Sequence, residues 1–132
     1  MNVTVDTNIL VRAALRDDVP QAAAAAKLLL EAEVIAVPLP CLCEFVWVLR
    51  QVYKIGLTDI GVALRALLGT ANVAVNRAAV DAGLAMLDAG GDFADGLVEF
   101  EGRWLGGEVF VSFDKRAVGL LEKQGLAALF LV

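Results

Sequence analysis

The sequence contains no histidine, which removes several common kinds of active site at once. Without an imidazole there is no Ser-His-Asp hydrolysis, no Cys-His nucleophile pair and no histidine-ligated zinc. Any catalytic chemistry must therefore use carboxylates, hydroxyls, lysine or arginine.

Cysteines and long apolar runs are also scarce. The two cysteines, Cys41 and Cys43, would point about 200° apart on a helix, so we interpret them as reduced thiols rather than a disulfide or chelate. No stretch approaches the ~20 apolar residues that a membrane-spanning helix needs. The first residues reach a charge at Asp6, too early for a signal peptide. We therefore expect a cytoplasmic protein that does not enter a membrane.

Charge and length restrict the possibilities further. The net charge is -5, with 11 basic against 16 acidic residues, which argues against a broad basic surface and leaves room only for a local basic patch. The 132 residues suit a single domain over 1–132. Apolar residues make up 59%, above the roughly 45 to 50% of an ordinary domain. We expect part of this surplus to contact a partner.

Short β-branched runs alternate with longer helical patterns along the whole chain, which is typical of βαβ units. The predicted strands cover 3–6, 34–37, 72–75, 108–113 and 129–132, and the predicted helices cover 7–15, 20–33, 40–53, 58–69, 77–89, 95–105 and 115–123. The pairs Gly90-Gly91 and Gly106-Gly107 mark turns just after helices. We predict a three-layer α/β/α sandwich with a mostly parallel central sheet.

Two acids stand directly after predicted strands, where ligands bind in open parallel sheets. Asp6 ends the first strand and Asp114 ends a later one. The alternative for each, taken singly, is that it only caps the helix that follows.

Glu44 is the single ionisable group between Cys41 and Leu49. We expect a buried carboxylate there, whose desolvation calls for a cation or a charge from another segment. The alternative is a glutamate on a narrow solvated stripe or one paired with a distant arginine.

Asp92 and Asp95 lie where a glycine break leads into an apolar helical pattern. Asp92 is the natural N-cap, and Asp95 could fold back on it as in a capping box. We favour a site role for Asp95, because its helix begins at the same predicted rim as Asp6 and Asp114.

Four carboxylates gathered in one pocket could not all stay ionised without a cation. Oxygen-only ligands suit Mg²⁺ or Mn²⁺, which orient a water and neutralise charge on a phosphate. Phosphodiester hydrolysis is the reaction that this chemistry indicates.

The motifs resemble the PIN-domain ribonucleases, and among them the VapC-like toxins of type II toxin-antitoxin pairs. The resemblance covers the chain in four ordered segments: Val5-Asp6-Thr7-Asn8-Ile9-Leu10, then Glu44, then Asp92-Phe93-Ala94-Asp95-Gly96-Leu97-Val98, and finally Ser112-Phe113-Asp114-Lys115.

The resemblance implies an acidic quartet, Asp6, Glu44, Asp95 and Asp114, supported by Asn8 and Ser112. It also implies a single-stranded or structured RNA substrate, a metal-bound water, inhibition by a small antitoxin protein and a homodimer. For phosphate contact we name four basic residues, Arg12, Arg16, Arg103 and Lys115.

The chain departs from the family pattern after the third acid. Gly96, Leu97 and Val98 stand where the family more often has alanine and isoleucine, and Glu99 and Glu101 add negative charge. We place these two glutamates on a solvated face; the alternative is that they lower the affinity for RNA.

Two alternatives from other classes remain. Asp6 loosely resembles the nucleophile of haloacid-dehalogenase-like phosphotransferases, but Asn8 replaces the second acid of that motif. The chain could also be a catalytically silent binding module that keeps the fold.

Overall fold

The computed structural model describes residues 1–132 and shows helices and short strands in alternation. The strands are β1 Asn2–Thr4, β2 Val34–Ala36, β3 Val73–Ala74, β4 Phe110–Ser112 and β5 Ala128–Phe130. The helices are α1 Thr7–Leu15, α2 Val19–Glu31, α3 Leu39–Trp47, α4 Leu57–Leu68, α5 Arg77–Asp88, α6 Phe93–Trp104 and α7 Lys115–Lys123. All strand pairs are parallel, so the predicted α/β class is confirmed.

The chain divides into two compact units, Met1–Asn76 and Arg77–Val132, which are described separately below. The expectation of a single domain over 1–132 stays a prediction. No helix in the structure has both the length and the apolar character needed to cross a membrane.

The first unit contains a three-stranded parallel sheet in the order β1-β2-β3. Val3 pairs with Ile35, and Ile35 pairs in turn with Val73. Ile35 is fully buried, as expected for the central strand of a sheet covered by helices. Helix α3 contributes Leu42 and Phe45 to the same core, so this helix is fixed firmly next to the strand ends.

The helix predicted over 40–53 changes character near its middle. The regular α-helix ends at Trp47, and a π-helical segment follows over Val48–Val52. The backbone N–H of Tyr53 donates to the carbonyl of Val48 at 3.2 Å, one residue further back than in an α-helix. β-Branched valines lower α-helix propensity in this stretch, which a periodicity of apolar residues does not reveal.

The second unit packs helices α5 and α6 against each other and carries the parallel pair β4-β5. The two helices approach closely at Gly83 and Gly96. A Cβ added to Gly96 would lie 2.5 Å from the carbonyl oxygen of Ala82 and 2.9 Å from the Cα of Gly83. The glycine that departs from the family pattern is therefore required by helix packing.

The two glycine turns predicted from the sequence are confirmed. Gly90 has φ +88° just after α5, and Gly106 has φ +100° just after α6. Both angles lie in the left-handed region that glycine adopts without strain, so each glycine ends its helix as expected.

Candidate active site

Asp6 follows β1 and is the N-cap of α1. Its Oδ1 accepts a hydrogen bond from the backbone N–H of Ile9 at 3.4 Å, longer than the roughly 2.7 to 3.2 Å of a good N–H···O bond. The side chain is exposed to solvent. The capping role foreseen for Asp6 is therefore present but weak, and most of the carboxylate is left available.

Glu44 lies on the exposed side of α3, so the expectation of a buried carboxylate is wrong. The buried face of this helix consists of Cys41, Leu42, Phe45 and Val46. Glu44 points away from it, on the same side as Trp47, which is 58% exposed. Glu44 therefore lies on a solvated stripe and is not a buried charge that needs a partner.

Cys41 connects the end of β1 to the start of α3. Its thiol donates to the carbonyl of Val5 at 3.6 Å, and the Thr7 hydroxyl donates to the Cys41 sulfur at 3.7 Å. Burial raises the pKa of the Cys41 thiol, and the negative charges of Asp6 and Glu44 raise it further. Both carboxylates thus act electrostatically on the same buried thiol.

Asp92 is the N-cap of α6, as predicted, and its Oδ1 accepts from the backbone N–H of Ala94 at 2.7 Å. Asp95 follows in the first turn of the same helix and is half-buried. Its carboxylate makes no hydrogen bond to the backbone N–H of Asp92, so the reciprocal bond of a capping box is absent. Of the two acids in this turn, Asp92 caps the helix and Asp95 does not.

Asp114 is held at the start of α7 by two hydrogen bonds. Its Oδ1 accepts from the backbone N–H of Ala117 at 3.1 Å, and its own backbone N–H donates to Ser112 Oγ at 2.9 Å. The Ser112 hydroxyl at the end of β4 therefore fixes the turn that presents Asp114. The capping role considered for Asp114 is seen in this geometry, whereas the supporting role of Ser112 in an acidic site stays a prediction.

The three acids of the second unit interact electrostatically. Burial raises the pKa of the Asp95 carboxyl, and the charges of Asp92 and Asp114 raise it further. None of the three carboxylates takes part in an ion pair with a lysine or arginine of this unit. No ion pair within this unit balances the negative charge of the three carboxylates, and such a setting favours binding of a metal ion.

No group of three or more acid or cysteine side chains in the structure is arranged to hold a metal ion. Each unit offers carboxylate oxygens after a strand end, with sides left open for water. Mg²⁺ prefers such a setting, because it keeps several waters and uses one or two carboxylates. The donor set therefore fits a hydrated divalent cation.

Comparison with protein families adds an independent finding. A model of the PIN domain matches residues 3–118. The chain belongs to the PIN domain family. PIN domains are generally metal-dependent nucleases that act on nucleic acid, so membership indicates a nuclease. A search of curated proteins found no match.

Of the four basic residues named for phosphate contact in this PIN domain, two are engaged by other side chains and two are exposed to solvent. The Arg12 guanidinium is engaged by Asp17 at 2.8 Å, Gln21 at 2.8 Å and Tyr53 at 3.5 Å. Arg103 is paired with Glu99. The other two, Arg16 and Lys115, are exposed, as is the supporting Asn8.

Glu99 behaves differently from the expectation for the two extra glutamates of the PIN domain. Glu101 is exposed as expected, but Glu99 is only 6% exposed, so a solvated position for Glu99 is wrong. The i,i+4 spacing of Glu99 and Arg103 is the signal that could have indicated their ion pair. The spacing does not reveal that Glu99 is buried beside the groove lined by α6 and residues 107–111.

Proposed function

We propose that this PIN domain is a divalent-metal-dependent endoribonuclease that hydrolyses phosphodiester bonds in single-stranded or structured RNA. The observation that carries the proposal is the uncompensated negative charge on half-buried Asp95, whose pKa is raised first by burial and then by the charges of Asp92 and Asp114. Structural aspartates are normally placed where their charge is stabilised. A carboxylate kept among like charges is typical of a functional site.

The acids are assigned as follows. Asp6 and Asp95 would contact the metal directly, and Glu44 and Asp114 would act through water or as a second set of ligands. Asn8 and Ser112 support the acids, and Asp92 holds the start of α6. When bound, Mg²⁺ or Mn²⁺ supplies Lewis-acid stabilisation of the charge that develops on the phosphate.

The chain's own groups perform the remaining tasks. Exposed carboxylates at Asp6 and Glu44 can orient a water molecule by accepting its hydrogen bonds. Lys115, exposed and adjacent to Asp114, is suited to contact an RNA phosphate, as is Arg16. Arg12 is less suited, because its guanidinium already serves Asp17 and Gln21.

The biological role that we propose is the toxin of a cytoplasmic type II toxin-antitoxin pair, acting as a single domain over 1–132 and as a homodimer. An antitoxin and a second copy each need an apolar contact surface. The first unit exposes Leu30 at 85%, Trp47 at 58% and Val62 at 62%, which supports such contacts. A short adjacent reading frame that encodes a DNA-binding antitoxin would support the same role.

The experiment is a cleavage assay with the full chain. A 5′-labelled single-stranded RNA is incubated with protein and Mn²⁺, with and without EDTA, and the fragments are resolved on a denaturing gel. Cleavage should require the metal and should be lost in Asp95→Asn. The matched control is Asp59→Asn, which changes an exposed aspartate in the first turn of α4.

The other outcomes separate the remaining alternatives. Covalent labelling of Asp6 by a phosphoryl donor, without cleavage, would favour the phosphotransferase. An inactive chain that co-purifies with a partner protein would favour the silent binding module.

A further inference from the structure

Glu99 carries the only charged side chain that is buried in this protein. Its Oε2 accepts from Arg103 Nε at 2.8 Å. Its Oε1 is also buried and has no hydrogen-bond partner. Buried carboxylate oxygens are nearly always paired, so an orphaned one is a specific indication that a hydrogen-bond donor is missing.

The missing donor is not supplied by the ion pair. Arg103 already directs its Nε to Oε2, its guanidinium carbon lies 5.6 Å from the centre of the Phe100 ring, and its side chain is 48% exposed. No other basic residue of the second unit is paired with Glu99. The donor must therefore come from outside this set of side chains.

Glu99 lines a groove of about 240 Å³ between α6 and β4. The groove has apolar walls from Val98, Val109 and Val111, and a second acid, Glu108, at its edge. Glu99 and Glu108 together outnumber the single positive charge of Arg103, so the lining favours a cation. The volume is smaller than the roughly 300 to 1,000 Å³ of pockets for drug-sized molecules, and suits one side chain.

We propose that this groove binds the guanidinium group of an arginine side chain presented by a protein partner. A guanidinium offers several N–H donors in one plane and is weakly hydrated, so it can pair with a buried carboxylate at lower cost than an ammonium group. The three valines would pack against its alkyl stem. The site does not depend on the nuclease assignment.

The surroundings of the groove favour a protein as the source of this arginine. Val98 in the groove wall is 58% exposed, and Trp104 and Leu105, which follow Arg103 but lie outside the groove lining, are 79% and 88% exposed. Large exposed apolar side chains next to a buried charge are typical of protein interfaces. A free organic cation would make no use of Trp104 or Leu105.

The test is an NMR titration of the isotope-labelled full chain. The probe is the peptide acetyl-Leu-Arg-Leu-amide, and its neutral match replaces arginine with citrulline. The arginine peptide should shift the amide resonances of Gly102, Gly107 and Val109, and the citrulline peptide should not. Glu99→Gln should weaken binding by about tenfold or more, because a charge-assisted hydrogen bond is lost.

Two further variants sharpen the result. Glu101→Gln removes an exposed charge two residues away and should leave the affinity unchanged. Arg103→Gln frees the second oxygen of Glu99 and should tighten binding of the arginine peptide. Thermal unfolding of each variant confirms that it is folded.

The proposal is overturned if the citrulline peptide binds equally well, if Glu99→Gln binds like the unchanged chain, or if the shifts map to another surface. A titration with butylguanidinium, a free organic cation, distinguishes a protein partner from a small molecule as the source of the guanidinium group. If butylguanidinium binds as tightly as the peptide, the groove serves a free organic cation and the protein partner is rejected.

Discussion

Asp95 and Asp114 belong to the starts of different helices, yet they interact: burial, the charge of Asp92 and the charge of Asp114 together raise the pKa of the Asp95 carboxyl. In the absence of a cation this arrangement opposes folding, because ionised carboxylates repel each other. Functional sites commonly sacrifice stability in this way. Removing the charge of Asp95 should therefore raise the stability of the folded chain and lower its activity.

The first prediction concerns Asp95→Asn. The variant should lose RNA cleavage by about 100-fold or more, as expected when a group that stabilises developing charge is removed. In metal-free buffer it should nevertheless unfold at a higher urea concentration than the unchanged chain. Urea unfolding in EDTA and the cleavage assay check the two halves. A destabilised or fully active variant would contradict the assignment.

The second prediction is the pH dependence of that stability gain. A carboxyl whose pKa is raised in the folded state favours folding when protonated, and this contribution is lost as the pH rises through the folded pKa. The advantage of Asp95→Asn should therefore be present at neutral pH and vanish as the pH falls to the ordinary aspartate pKa of about 3.9. A pH-independent difference would show that Asp95 acts by packing.

The third prediction is that a divalent cation stabilises the folded chain. A ligand that binds only the folded state adds about 2.7 kcal/mol at 100 times its Kd. Mn²⁺ should raise the melting temperature of the unchanged chain and EDTA should reverse the effect, as differential scanning calorimetry can measure. The shift should be smaller in Asp95→Asn and unchanged in Asp59→Asn. Equal shifts in all three proteins would indicate binding elsewhere.

The fourth prediction tests the contact between α5 and α6. Gly96→Ala places a methyl group against the backbone of Ala82, so it should destabilise the chain by about 1 to 3 kcal/mol. Gly119→Ala on α7 meets nothing within 4 Å and should be neutral or stabilising by up to about 1 kcal/mol. Urea unfolding compares them. A stabilised Gly96→Ala would show that the helices are further apart.

The fifth prediction concerns RNA affinity. Lys115→Gln should weaken binding of a single-stranded RNA and reduce the slope of log K against log salt by about 0.7, the value for one phosphate contact on a single strand. Fluorescence anisotropy across a salt series measures this slope. The matched change Lys27→Gln, on the exposed side of α2, should leave it unaltered.

The sequence was most informative where local rules decide the structure. Asp92 before an apolar helical pattern predicted an N-cap, and the structure confirms it with a 2.7 Å bond from Ala94. The position of Asp6 after β1 and of Asp114 after β4 followed from the alternation of strands and helices. These features depend on a few neighbouring residues, so one chain suffices to read them.

Prediction failed where the orientation of a helix decides the environment. Glu44 sits in an apolar segment, but the buried face of α3 runs through Leu42 and Phe45 and leaves Glu44 exposed. Glu99 was expected on a solvated face, but it is buried and lines the groove between α6 and residues 107–111. The need for glycine at position 96 comes from the close approach of the Ala82 backbone, which the sequence does not reveal.

The central claim is that carboxylates of this PIN domain carry metal-dependent RNA hydrolysis, and single-turnover cleavage of a labelled RNA by Asp6→Asn tests it most directly. Asp6 makes only one weak cap bond, so the variant should fold normally. The account predicts that the unchanged chain cuts RNA in Mn²⁺ and stops in EDTA, while folded Asp6→Asn does not cut in either condition. Undiminished cleavage by Asp6→Asn, or cleavage by the unchanged chain that persists in EDTA, would contradict it.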